Sequence, residues 1–275
     1  MQPGPAPSPD VDEVAGRRWA DHRRTLEAIA WKCRTNSPWR DLTDELGPFQ
    51  TAHKRLIRWA VDGTWEMILT AVLAAADADD DIDWTVSVDS TVVRAHQHAA
   101  GALQGAAHCG EPADHALGRS RGGLSTKVHL AADGHARHLA FTVTAGQAGD
   151  APAFETVMSR IRVPRSGPGR PRTRPLAVLA DRAYSSRAIR SHLRRRGIRA
   201  VIPQPSDQDG HRLRRGRQGG RPPGFDPEAY KQRNTVERCI NRLKQWRGLA
   251  TRTDKLAIAY QAALHPASIL IWTRR

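Results

Sequence analysis

The first third of the chain carries apolar residues three or four positions apart, interrupted by short segments rich in Asn, Ser, Pro and Gly. This spacing predicts amphipathic helices joined by tight turns. We expect these helices over residues 21–34, 39–46, 50–61 and 65–76. The exposed side of the third helix is basic, and its candidate DNA-binding residues are His53, Lys54, Arg55 and Arg58.

A helix, a glycine-containing turn and a basic helix in succession are typical of a helix-turn-helix, whose second helix enters the major groove of DNA. A plain helical bundle with a solvated basic face explains this segment equally well. The acidic run at residues 77–83 follows the fourth helix and indicates a domain boundary.

After the acidic run the hydrophobic pattern changes to period two. Alternating β-branched residues predict a three-strand meander over residues 84–94, 124–130 and 138–144. Two continuous apolar runs, at 175–180 and 198–202, predict strands buried on both faces. Helices are expected from Pro152, over 186–196, and again from Ala229 onward. The order β-β-β-α-β-α-β-α matches an α/β fold of the ribonuclease-H-like type.

Two basic segments, residues 163–174 and 203–228, are rich in Arg, Pro and Gly. They offer little apolar surface to bury, so we predict mobile loops. Both flank elements of the predicted active site, and contact with phosphate explains them as well as a solvated linker does. The Pro-rich residues 1–18 are expected to be disordered.

Charge narrows the choice of partner. The 275-residue chain has a formal net charge of +15, so its long-range field attracts polyanions and nucleic acid is the first partner to consider. A membrane partner is not expected, because Gln261, His265 and Pro266 interrupt the most apolar segment. The first residues do not resemble a secretory signal, so we expect a cytoplasmic protein. The three dispersed cysteines, Cys33, Cys109 and Cys239, suit a reducing compartment.

Two further motifs are less specific. A Gly/Ala-rich segment is crowded with His and Cys, but the spacing fits no zinc finger or ribbon, so a zinc site is not expected. The run 118–123 looks like a phosphate loop but precedes a strand instead of joining a strand to a helix, so it predicts a basic turn that contacts DNA through Arg119 and Arg121. The crowded residues are His96, His98, His108, Cys109 and His115.

Two aspartates occupy positions in the predicted sheet that require an explanation. Asp89 lies inside a strand of apolar and hydroxyl residues, where an uncompensated carboxylate costs stability. Asp181 directly follows a buried strand, and the carboxyl ends of such strands are where open α/β sheets bind ligands. The two strands are neighbours in the predicted topology. Considered alone, an aspartate such as Asp181 is more often a cap or turn residue.

A polar stripe follows on the next predicted helix. Tyr230, Arg233, Glu237 and Lys244 are spaced by three, four and seven residues, which places them within roughly 60° of one another on a helix. The opposite side of this helix is apolar, so it can pack on the sheet while the stripe borders a cleft. A solvated charged face does not explain why this stripe coincides with two strand-borne aspartates.

The segment 230–244 reads YKQRNTVERCINRLK and fits the signature Y-x2-R-x3-E-x6-K of the DDE transposases in the insertion-sequence four/five group. The segments SVDSTVVRAHQHAAG, GRSRGGLSTKVHLAADG and LADRAYSSRAIRSHLRRRGIRAVIP also resemble blocks of that family. The resemblance begins near Trp19 and runs to the end of the chain. It implies a helical DNA-binding domain over 19–82 and a ribonuclease-H-like catalytic domain over 83–275.

The same resemblance implies the chemistry. Asp89, Asp181 and Glu237 would hold two Mg²⁺ or Mn²⁺ ions, for which carboxylate oxygens are suitable ligands. Tyr230, Arg233 and Lys244 would bind phosphates beside the scissile bond. The implied function is to bind the terminal inverted repeats of an insertion element, cut there, and join the 3′ ends to target DNA.

The expected partners are therefore double-stranded DNA at the element ends and at the target, with the protein located at the nucleoid. A dimer on DNA is expected because two ends must be held together. Two alternatives stay open: a catalytically inactive or repurposed DNA-binding protein, and a ribonuclease-H-like nuclease that cuts without joining. Pro266 is expected to kink the final helix or to cost about 3 kcal/mol.

Overall fold

The computed structural model describes residues 21–102 and 110–274. Its N-terminal part contains three helices, which lie at the predicted places. The predicted helix over residues 39–46 is wrong in type, because extended backbone at Leu42 and Thr43 divides it into two 3₁₀ turns, Trp39–Asp41 and Asp44–Leu46. The helices are α1 (His22–Thr35), α2 (Phe49–Val61) and α3 (Thr64–Ala78).

The seven-stranded sheet is built around one long central strand. The strands are β1 (Thr85–Ala95), β2 (Gly118–Ser120), β3 (Gly123–Ala132), β4 (His138–Ala145), β5 (Ala177–Ala180), β6 (Arg199–Val201) and β7 (Thr251–Arg252). β1, β3 and β4 form the antiparallel meander, while β5 pairs parallel to β1 and β6 parallel to β5. This order and these directions confirm the ribonuclease-H-like α/β arrangement.

Helices cover both faces of the sheet. On one face Ser90 of β1 contacts α5 (Asp150–Arg160), and on the other Ser87 contacts α9 (Asn234–Lys244). Residues of a strand alternate between the two faces, so Asp89 shares the face of Ser87. The remaining helices are α4 (Gln97–Ala100), α6 (Arg187–Arg195), α7 (Ser206–Arg214), α8 (Pro227–Tyr230), α10 (Arg247–Ala250) and α11 (Ala257–Thr273).

The C-terminal helix α11 packs against α2 and α3. The larger of two clusters of buried apolar side chains includes Ile29, Leu56 and Trp65 from the N-terminal helices as well as Val86 and Leu130 from the sheet. The helical region therefore rests on the sheet through a common core. The division into domains at residues 19–82 and 83–275 stays a prediction.

Pro266 lies inside α11, and the helix continues through it. A proline cannot donate a hydrogen bond to the carbonyl four residues earlier, which here belongs to Ala262. The buried His265 Nδ1 lies 3.2 Å from the backbone carbonyl oxygen of Gln261. The helix nevertheless does not end at Pro266.

The segment 203–228 is not a structureless loop as predicted. It contains α7, a 3₁₀ turn at Gly216–Gly219 and the start of α8. The other basic segment is tied by an antiparallel bridge between Val163 and Arg172. Arg172 stacks over the ring of Trp84 at 4.0 Å. This contact places the segment at the amino ends of β1 and β5, whereas Asp181 lies at the carboxyl end of β5.

None of the helices in the described ranges is long and apolar enough to cross a membrane. Residues 1–18, for which disorder was predicted, lie outside the described residues, as do His108 and Cys109.

Candidate active site

The parallel pairing of β1 and β5 brings two aspartates together. Val88 lies opposite Ala180 in the register, so Asp89 and Asp181 occupy the next position on adjacent strands. The Asp181 side chain also caps the 3₁₀ turn Arg182–Tyr184, accepting a hydrogen bond from the backbone N–H of Ala183 at 2.9 Å. Its role as a turn residue and its place beside Asp89 are therefore compatible.

Arg233 connects Asp89 with Glu237. Its Nη2 donates to Asp89 Oδ2 at 2.7 Å, and its Nη1 donates to Glu237 Oε1 at 2.8 Å. Because these are charge-assisted hydrogen bonds, the guanidinium fixes the orientation of both carboxylates.

The helix that carries Glu237 is held against the sheet by its other face. Val236, Cys239 and Leu243 of α9 are buried, and Thr235 Oγ1 donates to Ser87 Oγ of β1 at 2.9 Å. This packing places the first turn of α9 beside Asp89.

The polar stripe predicted on a single helix is divided between two helices. Tyr230 ends α8, a 3₁₀ turn follows at Lys231–Arg233, and α9 begins at Asn234. Tyr230 packs against Ala177 and Leu179 of β5 and against the ring of Phe225 at 5.3 Å.

The structure therefore groups Tyr230, Arg233 and Glu237 around the end of β5. Lys244, at the last residue of α9, lies two helical turns beyond Glu237 and is half-buried.

The electrostatic environment of Asp89 disfavours its ionised form. Burial raises the pKa of this carboxyl, and the negative charges of Asp181 and Asp150 raise it further. The backbone N–H of Ser90 and the charge of Arg233 oppose this rise in pKa. Burial lowers the pKa of Arg233, but Asp89 and Glu237 raise it by more, so the guanidinium stays charged.

Asp89 and Asp181 fit a divalent cation. Both supply carboxylate oxygens, and a cation between them would offset the repulsion that raises the pKa of Asp89. Among the described residues, however, no three acidic, histidine or cysteine side chains are close enough to share one ion. The reason is that Glu237 points to Arg233, which already supplies a positive charge between Glu237 and Asp89.

A second group of polar residues lies on the other face of β1 from Asp89, and it was not predicted from the sequence. Ser90 Oγ donates to Asp150 Oδ1 at 2.6 Å, and Lys127 Nζ lies 3.1 Å from the same oxygen. His129 Nδ1 is 3.7 Å from it. Asp150 stands near the start of a predicted helix, which is an ordinary place for an acid, so only its contact with the residue after Asp89 marks it as part of the site.

Tyr184 belongs to the same neighbourhood. Its ring is buried, and its hydroxyl has no hydrogen-bond partner among the described residues. Burial raises the pKa of this phenol, and the charges of Asp150, Asp89 and Asp181 raise it further. Tyr184 therefore stays protonated, with an O–H available as a donor near the carboxylates.

Three of the four basic residues predicted on α2 are exposed, namely His53, Lys54 and Arg58. They line a cavity of about 1080 Å³ between α2 and the start of α11. The prediction for Arg55 is wrong, because this side chain is 6% exposed and its Nη1 lies 3.0 Å from His22 Nδ1. Arg55 stabilises the helical region instead of facing DNA.

Arg119 and Arg121 are exposed. They lie on a short hairpin rather than in an irregular turn, since Gly118–Ser120 forms β2 and pairs with the start of β3. Among the histidines of the neighbouring segment, His115 Nδ1 lies 2.6 Å from Glu111 Oε1, and His96 packs on His98 with ring centroids 4.6 Å apart.

Comparison with known proteins gives two family matches. Residues 81–271 match the family described as transposase DDE domain, and residues 4–69 match the family described as putative transposase of the IS4/5 family.

Two of three similar proteins come from bacterial insertion elements. A putative transposase for insertion sequence element IS6501 of Brucella ovis is 28% identical over 155 residues, which are 55% of this chain and 100% of that protein. The uncharacterized protein y4sN of Sinorhizobium fredii is 40% identical over 82 residues, 30% of this chain. An uncharacterized 16.2 kDa protein of insertion element IS402 from Burkholderia cepacia is 34% identical over 94 residues, 33% of this chain. The chain spans 62% of the length of y4sN and 64% of the IS402 protein.

Among solved structures, the Mos1 strand transfer complex is similar with 12% identity and a TM-score of 0.27, covering 96% of this chain and 80% of that one. The transposase DDE domain match extends over all seven strands of the sheet, α9 and most of α11. The chain therefore belongs to the DDE transposase family.

Proposed function

We propose that this transposase binds the ends of an insertion element and catalyses metal-dependent strand cleavage and strand transfer on double-stranded DNA. The observation that carries the proposal is the position of Asp89 and Asp181 one residue beyond the paired Val88 and Ala180, with Glu237 joined to Asp89 through Arg233. Asp89 and Asp181 are half-buried. Carboxylates in such positions require compensation, and a metal site at the carboxyl ends of strands supplies it.

A DDE transposase uses divalent metal ions. For this chain we propose Mg²⁺ or Mn²⁺, two ions, held by Asp89, Asp181 and Glu237. When bound, the ions would activate the attacking oxygen and stabilise the leaving 3′ oxygen. The guanidinium of Arg233 binds phosphate as well as carboxylate, so DNA that pairs with Arg233 releases Glu237 for the ions.

The reaction needs no side-chain nucleophile. Water attacks the phosphodiester at the element end, breaking the bond to the 3′ oxygen and leaving a 3′-hydroxyl. That hydroxyl then attacks a target phosphodiester, forming one bond and displacing the target's own 3′ oxygen. Tyr230, Arg233 and Lys244 bind phosphates beside the reacting bond, while His53, Lys54, Arg58, Arg119 and Arg121 bind the flanking duplex. We propose a dimer on DNA, because the two ends must react together.

The test uses a labelled duplex that carries the inverted repeat, incubated with Mg²⁺ or Mn²⁺. The variants Asp89→Asn, Asp181→Asn and Glu237→Gln keep side-chain shape and remove one negative charge each. A matched control is Glu228→Gln, since Glu228 is exposed and pairs only with Lys231 among the described residues.

We expect nicked and joined products from the wild type and the control, and none from the three variants, all of which still bind DNA. If the wild type binds DNA but forms no metal-dependent product, the protein is a DNA-binding protein without this activity. If it forms cleaved products that are never joined, it is a nuclease.

A further inference from the structure

A basic groove lies between α6 and the segment that follows β6. Arg187, Arg190 and Arg194 of α6, at helical spacing, line one wall, and Arg212 of α7 and Arg215, which directly follows α7, line the other. The groove has a volume of about 590 Å³. None of the described residues that line it is acidic.

The charges of this groove are not balanced inside the protein. Among the described residues, the side chains of Arg187, Arg194, Arg215 and Arg221 make no hydrogen bond or ion pair. The groove therefore gathers guanidinium groups that repel one another unless an anion lies between them.

Arg212 is less exposed than these arginines, and within the described part of the chain its guanidinium also lacks a close partner. Its Nε is buried without a hydrogen-bond partner, and the nearest carboxylate, that of Asp209, is 3.8 Å away. Arg137 provides the contrast, because this nearly buried arginine is held by Asp81 and Asp133 at 2.7 Å each. No described residue that lines the groove offers its arginines a carboxylate as Asp81 and Asp133 do for Arg137.

The fold keeps the groove in place. Ile189 and Leu193, on the other face of α6, are buried, which turns the arginines outward. Arg190 donates to the backbone carbonyl of Ile202 at 2.8 Å, and Gln208 of α7 donates to Ser185 Oγ at 2.9 Å. Both walls are thereby tied to the chain around β6 and to the turn that follows Asp181.

We propose that this groove binds the phosphate backbone of the DNA strand next to the scissile phosphate. The location relative to the cut rests on the proposed function, since the groove opens at Ser185, four residues after Asp181. Guanidinium groups match phosphate in geometry and charge. From Arg187 to Arg194 a helix rises about 10 Å. Along the axis of a DNA duplex this length corresponds to roughly three nucleotides of one strand, at about 3.4 Å each. Such contacts set the register of the strand and carry no sequence information.

The groove is tested in the full-length protein with Arg194→Gln/Arg215→Gln. Both side chains are exposed, so the fold is retained. The matched control is Arg165→Gln/Arg170→Gln, which removes the same charge from the exposed segment at the opposite edge of the sheet. Arg194→Lys/Arg215→Lys keeps the charge. Binding is measured without divalent metal, at several salt concentrations, on a duplex with the inverted repeat and on one of unrelated sequence.

The Gln variant should raise Kd about tenfold or more on both duplexes and lower the salt slope of log K by about 2. The control and the Lys variant should keep a slope near that of the wild type. The contacted phosphates are mapped by ethylation interference. Ethylation of some phosphates should weaken DNA binding by the wild type but should not weaken binding by the Gln variant. These phosphates should lie within a few nucleotides of the cut.

Three outcomes overturn the proposal: a wild-type slope in the Gln variant, an equal loss of affinity in the control, or a change of interference only at phosphates far from the cut. The two proposals fail separately. If the wild type cleaves DNA and the Gln variant keeps the wild-type salt slope, the groove proposal is wrong and the transposase chemistry stands. If the wild type never cleaves DNA and only the Gln variant has a lower salt slope, the proposed chemistry is wrong and the groove stands as a site for the DNA backbone.

Discussion

A histidine outside the candidate site makes the stability of this protein dependent on pH. His138 begins β4 and is completely buried. Its Nε2 contacts Ser268 Oγ of α11, and its Nδ1 lies 3.6 Å from Cys239 Sγ of α9. Burial, with a smaller effect of the charge of His265, lowers the pKa of His138 to about 3. His129 is also buried, and mainly for this reason its pKa falls to about 4.

Because these pKa values are lower in the folded state than the usual 6.5, the unfolded chain binds the protons first as the pH falls. Full stability is present above pH 6.5 and is lost progressively below it, down to the folded-state pKa values. Each histidine lowers the free energy of unfolding by at most about 1.4 kcal/mol per pH unit in this window. Between pH 7 and pH 5 the loss is roughly 2 kcal/mol for each histidine and about 4 kcal/mol together, a large share of the 5–15 kcal/mol typical of folded proteins.

The assay is urea unfolding at pH 7, 6 and 5 on wild type and His138→Gln. The glutamine amide retains a donor toward Ser268 but does not titrate, so its unfolding free energy should fall by roughly 2 kcal/mol less than that of the wild type between pH 7 and pH 5. His98→Gln is the matched control, because His98 is exposed, and it should leave the slope unchanged. Parallel curves for wild type and His138→Gln would refute the conclusion that His138 is buried and neutral.

Three further predictions concern the site and its support. Arg233→Lys should lower strand cleavage at least tenfold while DNA binding changes less, because one ammonium group cannot bond Asp89 and Glu237 as the forked guanidinium does; unchanged cleavage in a gel assay would contradict this role. Glu111→Ala should cost about 3 kcal/mol of stability in urea unfolding, since this buried carboxylate accepts the backbone N–H groups of Ala257 and Ile258 at the start of α11 and contacts His115, and Glu111→Gln should lose less. Gly248→Ala should destabilise by about 1–3 kcal/mol, because the new Cβ would lie 2.9 Å from the backbone oxygen of Cys33; Gly167→Ala, where the space is open, should be close to neutral, and an equal loss in both variants would refute the packing argument.

The amino-acid sequence by itself determined the elements of the fold. The three strands of the meander and the buried run before Asp181 lie within a few residues of their predicted bounds, while the helix with Glu237 begins at Asn234, after a 3₁₀ turn that interrupts the predicted helix. The reason is that an alternating strand, a doubly buried strand and an amphipathic helix each carry their signal in neighbouring residues. Composition failed where it was the only guide, since the Arg-rich segment after β6 contains α7, and periodicity failed for Arg55, whose buried contact with His22 joins two helices.

Only the tertiary structure decided how the polar residues meet. Arg233 bonds to Asp89 across 144 positions of the chain, and Ser90 bonds to Asp150 across 60. The register of β1 against β5 sets Asp89 beside Asp181, and the packing of α6 beside α7 gathers arginines that the sequence scatters. Such contacts depend on strand pairing and helix packing over the whole core, and a local pattern of hydrophobic and polar residues does not encode the distance between two segments that are far apart in the chain.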